Sequence, residues 1–146
     1  MSDEREIKQD LAHVEHYLME NYEVYVALEE DGLDEYWFDP DDPDDPGVIS
    51  INTSNDLEMQ LFVLLHEAGH VMLRRQQEFS KYFPDSNRAT VDGRIEILKE
   101  EVSAWLKAQE LAEDLGIQLD ASRWELNYRQ ALFQYVEWVS KGDCND

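Results

Sequence analysis

The segment from about Asp56 to Arg75 constrains this chain most. Leu57, Met59, Leu61, Phe62, Val63, Leu64, Leu65, Val71, Met72 and Leu73 leave it almost no polar face. A helix that is apolar all round belongs at the centre of a domain, with other elements packed around it. Asn55 and Glu58 have the spacing of a capping box that opens it. Inside this run His66, Glu67, Ala68, Gly69 and His70 spell H-E-x-x-H. A helix brings positions i and i+4 onto one face, so the two imidazoles can share one metal ion. Glu67 lies one step round, close enough to take a proton from a water that zinc has acidified to a pKa of about 7. The pattern points to a metal site and a hydrolytic reaction together, with Glu67 as catalytic base.

Two histidines hold a catalytic zinc poorly, since three protein ligands and a water are usual. On a helical wheel for residues 94–115, Ile97, Leu98, Trp105, Ala108, Ala112 and Leu115 fall within about 60° of Glu101. A carboxylate centred in an apolar stripe needs a partner. Coordination to the same ion supplies one, and an ion pair with Arg88 or Arg129 is the alternative. Glu100 lies at the edge of the stripe and reads as solvated. His13 and His16 lie on the first helix, where surface positions are the plainer reading, and Cys144 lies in the tail.

The remaining chain reads as α+β. Ile7, Leu11, Val14 and Leu18 recur at helical spacing between about Asp3 and Glu20. Tyr22–Leu28, Glu35–Phe38 and Val48–Ile51 read as three short strands, with a turn at Asp31-Gly32. Residues 39–47 form an acidic, Pro-rich loop that lacks the spacing of a calcium loop and is stiff enough to wall a cleft. Residues 76–93 read mainly as loop, and the helix that follows ends at Gly116. Ser122 and Glu125 have capping-box spacing at the start of a last helix reaching about Val139, whose Trp124, Tyr128, Leu132, Tyr135 and Val139 form a core-facing stripe. Residues 141–146 read as a frayed tail. Gly69 suits either a backbone approaching the metal face or plain helix–helix packing.

Residues 1–146 are expected to form one domain. Four Trp, seven Tyr and five Phe are too much apolar mass for a disordered chain. No apolar run is long enough to span a membrane, and the charged start, Met1 to Arg5, has no apolar signal core behind it. A cytoplasmic protein without membrane contact is expected. The single cysteine allows no internal disulfide and no cysteine metal cluster. A formal net charge of −22 opposes direct nucleic-acid binding and favours a basic partner.

Ile49 to Asn52, Gln60 to Leu73 and Glu101 to Ala108 together resemble the core of the ImmA/IrrE-type zinc metallopeptidases, the last stretch being similar to that family's Glu-x-x-Ala segment. The resemblance covers about the middle half of the chain. It implies a zincin-like fold, a small sheet packed on the motif helix, with zinc held by His66, His70 and Glu101 and Glu67 as base. It also implies a protein or peptide substrate, such as a transcriptional repressor. In that reaction Glu67 deprotonates water attacking a peptide carbonyl and passes the proton to the leaving amine. Tyr82, Tyr128, Arg74 and Arg75 are the candidate oxyanion donors. The rival reading, favoured by the charge, is an acidic interaction module, a DNA mimic or an inhibitor of a basic protein, with a structural or vestigial metal site.

Overall fold

The computed structural model describes residues 3–76 and 88–142. Its elements follow in the order α1 (Glu4–Tyr22), β1 (Tyr25–Glu29), β2 (Glu35–Trp37), β3 (Val48–Asn52), α2 (Leu57–Gln76), α3 (Val91–Asp114) and α4 (Ala121–Lys141). This is an α+β arrangement with a small open mixed sheet, consistent with a zincin-like fold.

β3 lies in the middle of the sheet, parallel to β1 and antiparallel to β2. The turn after β1 therefore closes no hairpin. β3 carries Ile49 and Ile51, both fully buried, and the strand with the most apolar inward face takes the centre. β2 is left as an edge, with Glu35 and Trp37 exposed.

α2 is the buried rod that its composition requires. Leu64, Leu65, Ala68, Val71 and Leu73 have no exposed surface. Val14 and Leu18 of α1, Ile49 and Ile51 of β3, and Ala108 and Leu111 of α3 complete the core around it. α3 comes unusually close at Gly69. A Cβ built there would lie 2.1 Å from the carbonyl oxygen of Ala104. Of the two readings of Gly69, close helix–helix approach is the one observed, and the helix it admits is the one that carries Glu101.

Three helix starts differ from expectation. Asp56, not Asn55, caps α2, accepting from the Met59 N–H at 2.8 Å. Asn55 instead gives its carbonyl oxygen to the Gln60 side chain. Asp120, not Ser122, caps α4 by accepting from the Arg123 N–H. In both cases an aspartate competes with the expected cap, and its charge also favours the positive end of the helix. α3 begins at Val91, earlier than the glycine at 93 suggests, because the Thr90 hydroxyl accepts from the Gly93 N–H. α4 runs to Lys141, beyond the expected end at Val139. The expected loop at 77–87 and the tail at 143–146, with Cys144, lie outside the described residues.

The acidic loop spends its carboxylates on its own backbone. Asp39 accepts from Asp41 N–H, Asp42 from Asp44 N–H, and Asp45 from both Asp39 and Gly47 N–H. Arg74 pins the loop to α2, donating to the Asp45 carbonyl and to the Tyr36 hydroxyl while lying over the Phe38 ring. No helix among the described residues is long and apolar enough to cross a membrane.

Candidate metal centre

α2 and α3 lie side by side, and their contact brings His66, His70 and Glu101 together. His66 Nε2 is 3.0 Å from Glu101 Oε2, and His70 Nε2 is 3.3 Å from Glu101 Oε1. One ligand atom from each of the three lies within 4.8 Å of the others, so the group can hold a metal ion. The half-buried, imidazole-bound Glu101 is thus the partner-seeking carboxylate that the wheel singles out. Arg129, an alternative partner, pairs with Glu125.

Each ring is held differently. His66 stacks on Trp105, with centroids 4.3 Å apart and planes 12° from parallel. His70 is gripped at its other nitrogen, Nδ1, by Glu100 Oε2 at 3.4 Å. Glu100 is buried, which corrects the reading of it as solvated. The wheel puts it at the margin of the α3 stripe, and the tight approach at Gly69 draws that margin under α2.

Glu67 is buried beside the pair, its Oε1 3.6 Å from His66 Nδ1. Burial pushes its carboxyl above the usual value, against the pull of His70 and His66. The backbone N–H of Tyr36 in β2 also pulls it down, the weakest of these effects. Burial would also raise Glu101, but hydrogen bonds to His66 and His70 hold it well below the ordinary range. Burial would lower His70, yet its contacts with Glu100 and Glu101 raise it well above the ordinary imidazole value.

The group opens into a cleft of about 680 Å³. Asp34, Glu35, Tyr36 and Phe38, from in and around β2, form one side, and Asn127, Ala131, Gln134 and Tyr135 of α4 form the other. The acidic loop at 39–47, expected as a wall, does not line it; the strand leading into the loop does.

Of the expected oxyanion donors, the three among the described residues lie elsewhere. Arg74 is committed to the loop, and Arg75 donates to the Tyr22 carbonyl. Tyr128 stands behind Trp105 and lines no part of this cleft. Tyr82 lies outside the described residues. The group that sequence reasoning missed is Tyr135, which lines the cleft together with Glu101. Burial, then the charge of Glu101, raises it above the ordinary phenol value. Its signal was present: Asn127, Ala131, Gln134 and Tyr135 share one helical face beside the aromatic stripe. Nothing in the sequence says that this face lines the cleft beside the metal ligands. His13 and His16 are exposed on α1, and His16 pairs with Glu20.

Comparison with curated proteins and with solved structures found no significant match. Residues 19–114 match the profile of the Peptidase_M78 family, the IrrE N-terminal-like domain. That span takes in the sheet, the H-E-x-x-H helix and the helix bearing Glu101, and it ends before α4. The family suggests metallopeptidase activity, and the donor group in the cleft agrees with it. With its match covering well over half of the sequence, this chain belongs to the Peptidase_M78 family of IrrE N-terminal-like domains.

Proposed function

We propose that this protein is a zinc-dependent endopeptidase that cuts a protein or peptide substrate, with a transcriptional repressor as the leading candidate. The observation that carries the reading is the meeting of His66, His70 and Glu101 beside buried Glu67 at the floor of an open cleft. Two imidazoles and one carboxylate are a donor set that suits zinc. When bound, zinc would acidify a water and polarise the substrate carbonyl. The chain's own groups do the rest. Glu67, buried beside His66, takes the proton of the attacking water and returns it to the leaving amine. A carboxyl raised by burial is better suited to this two-way transfer than an exposed one. Tyr135 has a protonated hydroxyl at the cleft and supplies a donor for the developing oxyanion. β2 is a sheet edge whose residues line the cleft, so an extended substrate can lie along it.

The acidic net charge supports a basic substrate segment and opposes direct nucleic-acid or anionic-membrane contact. It also supports the second reading, an acidic interaction module with a vestigial metal site. The buried Glu67 beside His66 favours chemistry over that reading, because a vestigial site has no use for it.

The test is Glu67→Gln, assayed against basic protein substrates with zinc content measured in parallel. Zinc should remain stoichiometric while cleavage falls by at least about a hundredfold. Full cleavage by the variant would remove Glu67 from the reaction, and loss of zinc would make it a ligand.

A further inference from the structure

We propose that Glu100 is a positioning residue that holds His70 with its N–H at Nδ1 and its Nε2 lone pair turned toward the metal. The proposal rests on the reading of His66, His70 and Glu101 as metal ligands.

A neutral imidazole carries one N–H, and its partners decide which nitrogen bears it. A carboxylate at one nitrogen leaves the other free to bind metal. Glu100 and Glu101 are consecutive on α3, about 100° apart around the helix. They straddle the His70 ring: Glu100 Oε2 is 3.4 Å from Nδ1, and Glu101 Oε1 is 3.3 Å from Nε2. Glu100 is not in the group of converging ligand atoms, which contains His66, His70 and Glu101. It approaches the opposite side of the same ring.

The burial of Glu100 fits no surface role. The residue is 8% exposed, and its Oε1 is buried without a hydrogen-bond partner. A carboxylate kept in such a place for packing alone would be costly. Among the described residues its polar contact is with the His70 nitrogen, so that contact is what the position offers. Among the described residues His66 has no comparable support. Its Nδ1 is 3.6 Å from Glu67 Oε1, beyond hydrogen-bond range, and the ring is fixed by stacking on Trp105. One ligand is set by an aromatic plane and the other by an anion.

Zinc affinity of purified full-length protein, measured by chelator competition, tests this in wild type, Glu100→Ala, Glu100→Gln and His70→Ala. Thermal unfolding of the zinc-free forms is followed in parallel, with Glu96→Gln on the exposed side of α3 as control. Glu100→Ala should weaken zinc binding roughly 10- to 100-fold. Glu100→Gln keeps an acceptor oxygen and should recover part of the loss, while Glu96→Gln should match wild type. Nitrogen-15 NMR of the imidazoles in zinc-loaded wild type should show His70 protonated at Nδ1. Should Glu100→Ala fail to fold, the glutamine variant and the NMR assignment still decide. Wild-type affinity in both Glu100 variants, with affinity lost in His70→Ala, would overturn the role of Glu100 and leave the metal reading intact. Zinc at Nδ1 of His70 would overturn it too. A wild-type protein that binds no zinc would overturn the metal reading itself, and this proposal with it.

Discussion

Tyr135 lines the cleft with Glu101 from a helix beyond the family match, so it can serve the reaction without being needed to build the core. Tyr135→Phe removes one hydroxyl and leaves the ring in place. Loss of a single oxyanion donor costs about 10²- to 10³-fold in kcat. The variant should show that loss with zinc content and thermal stability close to wild type. Unchanged kcat would assign the hydroxyl to Glu101 alone. At this scale the sequence was most legible where spacing and chemistry coincide. His66 and His70 at i and i+4, and Glu101 on an apolar stripe, meet as their positions on two helices require. Glu100 and Tyr135 were harder to see, because each acts across a contact between helices whose relative rotation no local pattern encodes.

Gly69 fixes how closely two elements approach. The carbonyl of Ala104 occupies the space where a β-carbon would sit, and backbone yields less readily than a flexible side chain. Gly69→Ala gains helix propensity but must push α3 outward, and such overpacking typically costs about 1–3 kcal/mol. Glu101 lies one turn before Ala104, so it should move with the helix. Lower thermal stability together with weaker zinc binding is the expected result, read by calorimetry and by chelator competition. Wild-type zinc affinity would mean that the metal centre does not depend on this contact.

The loop at 39–47 makes a second element-scale prediction. Hydrogen bonds from the Asp39 and Gly47 N–H groups hold the Asp45 carboxyl below its ordinary value of 3.8. A carboxyl lowered on folding contributes stability that is full above its unfolded pKa and is lost as pH falls through the folded one. The Gly47 amide shift should therefore stay flat at neutral pH and titrate with a midpoint below 3.8. A midpoint at or above the ordinary value would contradict the hydrogen-bonded loop. Helices and strands were legible in their residues because burial leaves a period. Sheet order was not, since Asp31-Gly32 looks like a hairpin turn while β3, strand-like in the same local terms, inserts between β1 and β2.

Across the whole molecule, a buried rod and a later helix must pack before any metal centre exists. His66 and His70 lie one turn apart on α2, Glu101 lies 31 residues further along on α3, and the three converge only through the contact of α2 with α3. Metal binding and folding are then linked, and zinc should stabilise the native state. α4 closes the far side of the cleft and is tied back to the rest of the fold. Arg123 pairs with Glu58 at the start of α2, and buried Arg94 of α3 donates to the Val139 carbonyl. The strong negative charge was plain in the composition, but its use depends on which surfaces a partner meets, and composition carries no map of those. The central claim is that His66, His70 and Glu101 hold one zinc ion. Anomalous diffraction at the zinc edge, from crystals of zinc-loaded protein, tests it most directly. A single peak bound by Nε2 of both histidines and the carboxylate of Glu101 is the predicted result. A peak elsewhere, or none between these three side chains, would contradict it.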